Sequence, residues 1–470
     1  MPTRSARNPI RSALAVVALT ASLAGPVLAD EAPGVTLDLA QARVLAVHAL
    51  REGRPELAMG VAGGLLKADP EDPLAHHVLA GANARLDRPG AAHKSAARAY
   101  RFSEPGLDRF RSAQMAARMA LAQDRPTTAQ FWLRRSALHA PDARAAEVVA
   151  RDYRALRRIN PWSFRLRLDL RPSSNVNKGS DTALQIIDGI PVTGVLSGAA
   201  QALSGVIGSV DLSSAYRLRQ NKVSETRASG RLYVQRVALS SSAQATAPSA
   251  ENGDFASTFA EVSLRHSWLV GGAPGRGTMS LGATLGESWY GGGGGFGFGR
   301  IEAARKWRLG GAGYLRLDGL AERRFRARFA ANDVHVLGIG AEWGRELANG
   351  DRLSLRAAWR DTGAERANGT FTAASLRASY APDQALGPVQ ISAGLTLGHA
   401  DYPAFRSGLF WVPGGRQDRS VYGDLNLFFH EMDYAGFAPM LRLRAGRKHS
   451  NDSRFEMREV SVSLGIESVF

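Results

Sequence analysis

The sequence predicts an α+β multidomain protein, with N-terminal tetratricopeptide-like α-helical repeats followed by a transmembrane antiparallel β-barrel of about 14 strands. Two observations predict this fold. Up to Pro161 the chain is rich in alanine, leucine and arginine at helical spacing, and beyond it glycine, serine and two-residue alternation take over. We expect a signal peptide at 1–29, a helical repeat domain at 30–160 and a barrel at 161–470.

The composition excludes several classes of protein. The 470 residues are 44% apolar and 22% charged, which is ordinary for a folded chain and rules out global disorder. Cysteine is absent, and this excludes disulfides, thiolate metal sites and cysteine nucleophiles. The formal net charge is +16, but the arginines of the second half occur singly rather than in clusters, so we expect no nucleic acid partner.

The first residues have the pattern of a secretory signal. Arg4, Arg7 and Arg11 accompany an apolar stretch at 13–24, and small residues at 27 and 29 predict cleavage after Ala29. The apolar stretch is too short to cross the ~30 Å hydrocarbon core of a bilayer. The pattern therefore favours a cleaved signal over a membrane helix.

Prolines recur in the helical half at the spacing of a helical repeat. Three equivalent turns carry them: Gly53-Arg54-Pro55, Asp87-Arg88-Pro89 and Asp124-Arg125-Pro126. Successive turns are 34 and 37 residues apart, close to the tetratricopeptide period. We expect seven helices between Leu37 and Ile159, stacked into a concave groove of the kind that binds peptides or partner proteins. A generic helical bundle is the alternative.

The second half alternates between apolar and polar residues. In the segment 163–170, apolar residues occupy the even positions and charged or polar residues the odd ones. This period of two is typical of a half-buried strand. We predict about fourteen such strands, near 163–170, 206–219, 223–238, 256–269, 277–289, 296–309, 312–325, 333–346, 351–361, 370–380, 387–401, 418–430, 437–449 and 455–470.

Three features favour a membrane barrel over a soluble sandwich. Short connections such as 219–222 and 347–351 occur together with long ones such as 171–205, 239–255 and 402–418. An even number of strands returns the C-terminus to the side of the helical domain. Aromatic residues near strand ends would form interfacial girdles: Trp268, Trp289, Tyr290, Trp359, Tyr380 and Tyr402.

The last strand places its apolar residues on one face and ends in phenylalanine. The residues concerned are Val460, Val462, Leu464, Ile466 and Phe470. Such a strand resembles the signal that outer-membrane barrels present to the barrel assembly machinery, which we therefore expect as a partner. The alternative is an edge strand of a soluble sheet.

Alternation predicts that eight arginines face the lumen: Arg165, Arg167, Arg231, Arg316, Arg356, Arg360, Arg442 and Arg444. One interpretation is a cationic channel that steers an acidic or polar chain. The alternative is an ordinary charged wall, balanced by acids such as Asp169 and Asp318.

No motif predicts catalysis. Gly292 to Gly297 fits a dinucleotide-binding pattern only formally, because no helix follows it. His266, His335 and His399 are scattered, and no nucleophile motif surrounds them. We therefore expect no enzyme activity, no catalytic residue, no metal and no cofactor.

The whole arrangement resembles the surface lipoprotein assembly modifiers, the outer-membrane (Slam-like) component of type XI secretion. The local resemblance lies at the start of the barrel, in Pro161-Trp162-Ser163-Phe164 and in the P-x-S-N-x-N-x-G pattern whose residues include Ser174, Asn175, Asn177 and Gly179. The resemblance implies that the barrel lies in the outer membrane, in contact with outer-membrane lipid, and that the helical domain lies in the periplasm. It also implies transport of a client protein, lipidated or soluble, and contact of the helices with the client or with periplasmic chaperones.

Two further points stay open. The Ser174–Gly179 loop has either a gating or client-binding role or only a turn-forming one, since Asn and Gly suit turns. The chain as a whole could also be a polysaccharide exporter, which combines helical repeats with a barrel, or a passive porin.

Overall fold

The computed structural model describes residues 36–182, 184–188, 190–272, 276–291, 294–310, 312–325, 333–430, 432 and 437–468. The predicted signal peptide at 1–29 and the terminal Phe470 lie outside these ranges. No helix within the described part of the chain has both the length and the apolar character needed to cross a membrane.

Between residues 36 and 160 the chain forms seven helices, as predicted. They are α1 (Leu39–Arg51), α2 (Pro55–Ala68), α3 (Pro73–Arg85), α4 (Pro89–Phe102), α5 (Leu107–Leu121), α6 (Pro126–Ala137) and α7 (Ala143–Ile159). Local sequence sets their starts: Asp38, Asp72 and Asp142 accept a hydrogen bond from the first turns of α1, α3 and α7. Proline opens α2, α4 and α6, where a missing amide proton costs nothing.

The helices stack in sequence order around a core of small side chains. Ala46, Ala62 and Ala96 are fully buried, and they let neighbouring helices approach closely. Larger residues, among them Trp132 and Tyr153, fill the core of the last helices. The result is the predicted array of helical hairpins that ends in a single helix.

Fourteen strands close into one antiparallel barrel, which confirms the predicted fold class. They are β1 (Trp162–Ser173), β4 (Gly205–Gln220), β5 (Ser224–Leu239), β6 (Ser257–Val270), β7 (Gly277–Tyr290), β8 (Gly294–Leu309), β9 (Gly313–Phe325), β10 (Val334–Glu346), β11 (Arg352–Ala364), β12 (Phe371–Ala381), β13 (Gln390–Tyr402), β16 (Arg416–Phe428), β17 (Phe437–Ser450) and β18 (Met457–Ser468). Strand β1 pairs with β4 on one side and with β18 on the other, so the sheet has no free edge.

The connections contain small elements that the sequence did not predict. Among them are the hairpin of β2 (Leu184–Ile187) and β3 (Ile190–Val195), the short helix α8 (Ser241–Thr246), and the hairpin of β14 (Arg406–Ser407) and β15 (Phe410–Trp411). These two hairpins and the helix lie in the long connections.

The barrel has an apolar outside and a charged inside. Large apolar side chains such as Leu285, Ile301 and Ile339 are more than 60% exposed, and they occupy the outward register of their strands. Most charged residues of the strands occupy the alternate, inward register. This is the arrangement of a barrel whose outer band meets lipid.

We call the two ends of the barrel proximal and distal. The proximal end carries the helical region and the last strand's C-terminus, and most of its connections are short, such as those at 221–223 and 347–351. The distal end carries the long connections at 174–204, 240–256 and 403–415. One distal connection, between Tyr290 and Gly294, is short, so the expected alternation in length holds only in part.

Candidate functional site: the lumen and its two mouths

The predicted lumen arginines occupy the inward register, and most are engaged in ion pairs. Arg231 on β5 donates two hydrogen bonds, of 2.9 and 2.8 Å, to the carboxylate of Asp211 on β4. Such bidentate geometry fixes both side chains against the wall.

A larger network spans β9, β10 and β11. The Arg356 guanidinium binds the Asp318 carboxylate at 2.8 Å and the Glu342 carboxylate at 3.2 Å. Arg316 adds a second cation to Asp318 at 3.2 Å. The sequence could not reveal these partners, because Asp318 and Arg356 are 38 residues apart and meet only through the strand register.

Three more predicted arginines meet acids of β18. Arg167 lies 3.0 Å from Glu467, and Arg442 lies 3.9 Å from the same carboxylate. Arg444 lies 3.9 Å from Glu459. Arg171 on β1 lies 3.8 Å from Glu459 as well, so each carboxylate is placed between cations on neighbouring strands.

The other two predicted arginines differ. Arg165 pairs in register with Ser213, and Arg360 with Gly338 and Ala373, so neither has an acid opposite. Neither has an ion-pair partner within the described ranges. The wall is therefore a network of paired charges with a few additional cations, and its role in moving a chain stays a prediction.

A polar chamber of about 760 Å³ runs along the inner wall from β11 round to β1. Arginines outnumber acids in its lining, and serine and amide side chains fill the spaces between them. Its charged lining residues are Asp169, Arg171, Arg352, Arg377, Asp424, Arg442, Arg444 and Glu467. Such a chamber can solvate a polar or acidic chain.

The loop predicted as a gate or client site is held together by its own asparagines. The Asn177 side chain donates to the carbonyls of Gln201 and Ala199 and accepts from the Leu203 amide at 2.9 Å. The Asn175 side chain exchanges two hydrogen bonds of 2.8 Å with the backbone of Gly179. Both asparagines therefore shape loop 174–204. Ser174 lies at the start of this loop, beside the end of β1.

Loop 174–204 is fastened to the connection between β17 and β18. The Ser180 hydroxyl donates to the Ser453 carbonyl at 2.7 Å. Asn451 accepts the Asp188 amide proton at its carbonyl, at 2.7 Å, and donates from its side chain to the Asp188 carboxylate at 2.9 Å. The two connections therefore form one structured unit at the distal end.

A buried arginine anchors this unit to the barrel. The Arg416 guanidinium carbon lies 3.7 Å from the ring centre of Tyr402, 4.3 Å from that of Phe405 and 3.8 Å from that of Phe455. Its guanidinium also pairs with Asp418 at 3.2 Å. Tyr402 was predicted to join an interfacial girdle, and that prediction is wrong because the residue occupies the inward register and stacks on this cation.

The opposite side of the distal mouth is covered as well. Ile207 on β4 and Val237 on β5 face inward near the rim, and both are buried beneath Leu203 of loop 174–204 and Ala243 of α8. We call the connections 174–204, 240–256, 403–415 and 451–456 together the distal cap. Sequence reasoning missed the cap, since its contacts join segments that are far apart in the chain.

The proximal mouth is joined to the helical region. The Arg217 guanidinium on β4 donates to the carbonyls of Arg158, Ile159 and Asn160, at 3.0, 3.2 and 2.7 Å, and so caps the C-terminus of α7. Arg134 on α6 stacks on Phe437, the first residue of β17. These contacts hold the last helices at the rim of the lumen.

A cluster of polar and charged side chains joins α3 to α5. His77 lies 3.4 Å from the Ser112 hydroxyl. Burial lowers the pKa of His77, Asp108 opposes this shift, and Arg111 and Arg118 reinforce it. This imidazole is therefore neutral at pH 7.

Nothing in the described ranges groups three or more His, Asp or Glu side chains as a metal site. Gly294, Gly295 and Gly297 of the formal glycine motif begin strand β8. His266 makes a hydrogen bond of 2.8 Å with Thr226 on the neighbouring strand.

Comparison with known proteins gives distant structural likeness only. No known protein family matches the chain, and no curated protein matches it. Among solved structures, an outer-membrane channel from Pseudomonas putida is 13% identical over 65% of this chain and 95% of that chain, with a TM-score of 0.32. A Pseudomonas aeruginosa FadL homologue is 9% identical over 66% and 91%, with a TM-score of 0.33.

The helical region is also similar to a solved repeat domain. The first tetratricopeptide repeat domain of Spaghetti, bound to an HSP90 peptide, is 19% identical over 26% of this chain and 99% of that chain, with a TM-score of 0.22. All three TM-scores are below 0.5. We therefore take the fold from the strand pairing and helix packing described above.

Proposed function

We propose that this chain is an outer-membrane protein-export channel. Its helical repeats would recruit a client protein, or a chaperone that carries it, on the periplasmic side. The barrel would then pass the client to the cell surface, with no reaction and no cofactor. In this proposal the proximal end faces the periplasm, the distal end faces outward, and an N-terminal signal peptide and the barrel assembly machinery bring the chain to the membrane.

The observation that carries the proposal is the junction at Arg217. A residue of the lumen wall binds the C-terminus of the last repeat helix, so a chain held by the helices is already beside the lumen. The polar chamber provides a route on which a polypeptide's charges and amides are solvated. A passive porin has no use for a helical region fixed at its mouth.

The distal cap also favours a gated exporter over an open porin. A steady pore needs an unobstructed mouth, whereas here buried side chains fasten the long connections over the inward-facing rim. A client would have to displace contacts such as those between Asp188 and Asn451.

The proposal is tested by surface exposure. The protein encoded beside this chain is produced in cells with the wild-type chain, with an empty vector, and with a variant lacking the helical region. Intact cells are then treated with protease. We expect the neighbour to be cleaved only with the wild-type chain. Protection in all three samples would show that this neighbour is not a client, and surface polysaccharide measured in the same cells would then test the second candidate.

A further inference from the structure

A group of five basic residues lies on the outer surface of the barrel, and in the part of the chain that the structure describes only two of them form ion pairs with acids. His399 on β13, Arg419 on β16 and His449 on β17 follow one another across directly paired positions. Arg447 on β17 and Arg458 on β18 are also directly paired. All five occupy the outward register at the distal ends of adjacent strands, and all are exposed.

The electrostatics of this basic cluster are unfavourable in the protein alone. Like charges at directly opposed positions of antiparallel strands repel each other, as Arg447 and Arg458 do. Arg419 and Arg447 have no ion-pair partner among the described residues. The nearby acids are few: Glu456 contacts His449, Asp181 lies 3.9 Å from Arg458, and Asp401 follows His399 on the same face of β13.

The height of the cluster on the barrel limits what can neutralise it. Immediately proximal to it, the same outward registers carry Leu397, Val421 and Val460, which begin the apolar band. The cluster therefore lies at the boundary between hydrocarbon and headgroups, where a basic side chain costs little if an anionic headgroup reaches it.

An apolar groove leads to the cluster. A cavity of about 1160 Å³ on the outer wall is lined by outward residues of β7 to β13, and its distal end reaches His399 and Arg419. Alanines such as Ala341, Ala357 and Ala374 line it between larger side chains such as Leu317 and Trp359. A lipid whose phosphate binds the cluster could place an acyl chain in this groove.

We propose that His399, Arg419, Arg447, His449 and Arg458 bind the phosphate groups of a phosphorylated glycolipid of the outer leaflet, with an acyl chain in the adjoining groove. Charge complementarity and the position above the apolar band favour this occupant. Its assignment to the outer leaflet rests on the orientation given under the proposed function.

The test uses the full-length chain purified in detergent. Binding is measured by native mass spectrometry with three probes: a bisphosphorylated lipid A, the same glycolipid without phosphates, and phosphatidylglycerol. The variant combines Arg419→Gln with Arg447→Gln. The matched control combines Arg236→Gln with Arg323→Gln, which removes two outward arginines from the distal ends of β5 and β9.

We expect the wild-type chain and the control variant to bind the bisphosphorylated glycolipid alike, and the cluster variant to bind it about tenfold more weakly. The phosphate-free glycolipid should bind weakly to all three. Equal binding by the cluster variant, or equal binding of the phosphate-free lipid, would overturn the site. Equal binding of phosphatidylglycerol through the same arginines would overturn the choice of glycolipid.

Folding is checked by the heat-dependent shift of the barrel on a denaturing gel. Should the double variant not fold, Arg447→Gln alone is measured with the same probes, and undiminished binding would again overturn the site. Binding in detergent does not depend on export, so failure of this test leaves the proposed function standing, and failure of export leaves the lipid site standing.

Discussion

The two mouths of the barrel are built differently. At the distal mouth, side chains from four connections bury one another and fasten to inward-facing residues such as Arg416 and Ile207. At the proximal mouth, most turns are short and the main contact of the rim is with the helical region, through Arg217. Under the proposed function, recruitment belongs to the proximal mouth and opening to the distal one.

Arg416→Ala should weaken the distal cap most. The change removes a cation from three aromatic rings and leaves the buried Asp418 carboxylate with Lys448 alone, at 3.8 Å. We expect the folded distal cap to lose stability on the order of 3 kcal/mol. Single-channel conductance in planar bilayers and protease cleavage of loop 174–204 should both rise.

The control for this change is Arg406→Ala. Arg406 lies in the connection 403–415, which leads into Arg416, but it is exposed, and its hydrogen bonds with Asn368 use its backbone. Arg406→Ala should leave the single-channel conductance and the protease cleavage of loop 174–204 unchanged. Equal effects of the two substitutions would show that Arg416 is not the anchor.

Arg217→Ala should loosen the proximal junction without opening the cap. Three carbonyls at the end of α7 lose a charged donor, which costs about 2 kcal/mol at this site. Amide hydrogen exchange should increase in α7, while loop 174–204 stays protected. Arg219→Ala on the same strand is the control, and faster exchange in the loop as well would contradict the separation of the two mouths.

Asn177→Ala should destabilise loop 174–204 by a smaller free energy, about 1–2 kcal/mol. The side-chain amide links Asn177 to the far arm of the loop, at Ala199, Gln201 and Leu203, but water can replace part of these contacts. Hydrogen exchange at the Leu203 amide should rise while the Arg416 contacts persist. The substitution Asn177→Asp keeps the acceptor and removes the donors, so it should give an intermediate result.

The smallest effect concerns pH and the helical region. The pKa of His77 is lowered by burial from 6.5, so the unfolded chain takes up this proton more readily than the folded one. The stabilisation is therefore complete above the unfolded value of about 6.5 and is lost as the pH falls through the folded value. The protection of α3 and α5 against hydrogen exchange, measured as exchange rates corrected for the intrinsic pH dependence of amide exchange, should fall between pH 7 and pH 5.5, and less steeply in His77→Gln. An unchanged pH slope in that variant would contradict a neutral, partly buried His77.

The sequence was informative wherever a local period determined the structure. Alternation located all fourteen barrel strands, and the proline spacing located the seven helices. Both patterns depend only on residues that are close together in the sequence. They carry no information about which segments meet, so the cap, the Arg416 anchor and the Arg217 junction could not be predicted.

The eight predicted lumen arginines show the same limit. Alternation placed them on the inner face, but their partners depend on strand register and on diagonal neighbours. Arg356 has two carboxylates within reach, whereas Arg360, four residues further along β11, has none among the described residues. Register, rather than residue type, decides which arginine is left without an acidic partner.

In the proposed function, the client leaves through a distal cap that must open. Because the chain has no cysteine, Asp188→Cys combined with Asn451→Cys can lock loop 174–204 to the connection between β17 and β18. Surface exposure of the client is then measured on intact cells in the oxidised and the reduced state, with Asn451→Cys alone as control. We predict that oxidation abolishes surface exposure of the client and that reduction restores it. In the Asn451→Cys control, exposure should be the same in both states. Full exposure with a verified disulfide would contradict the claim.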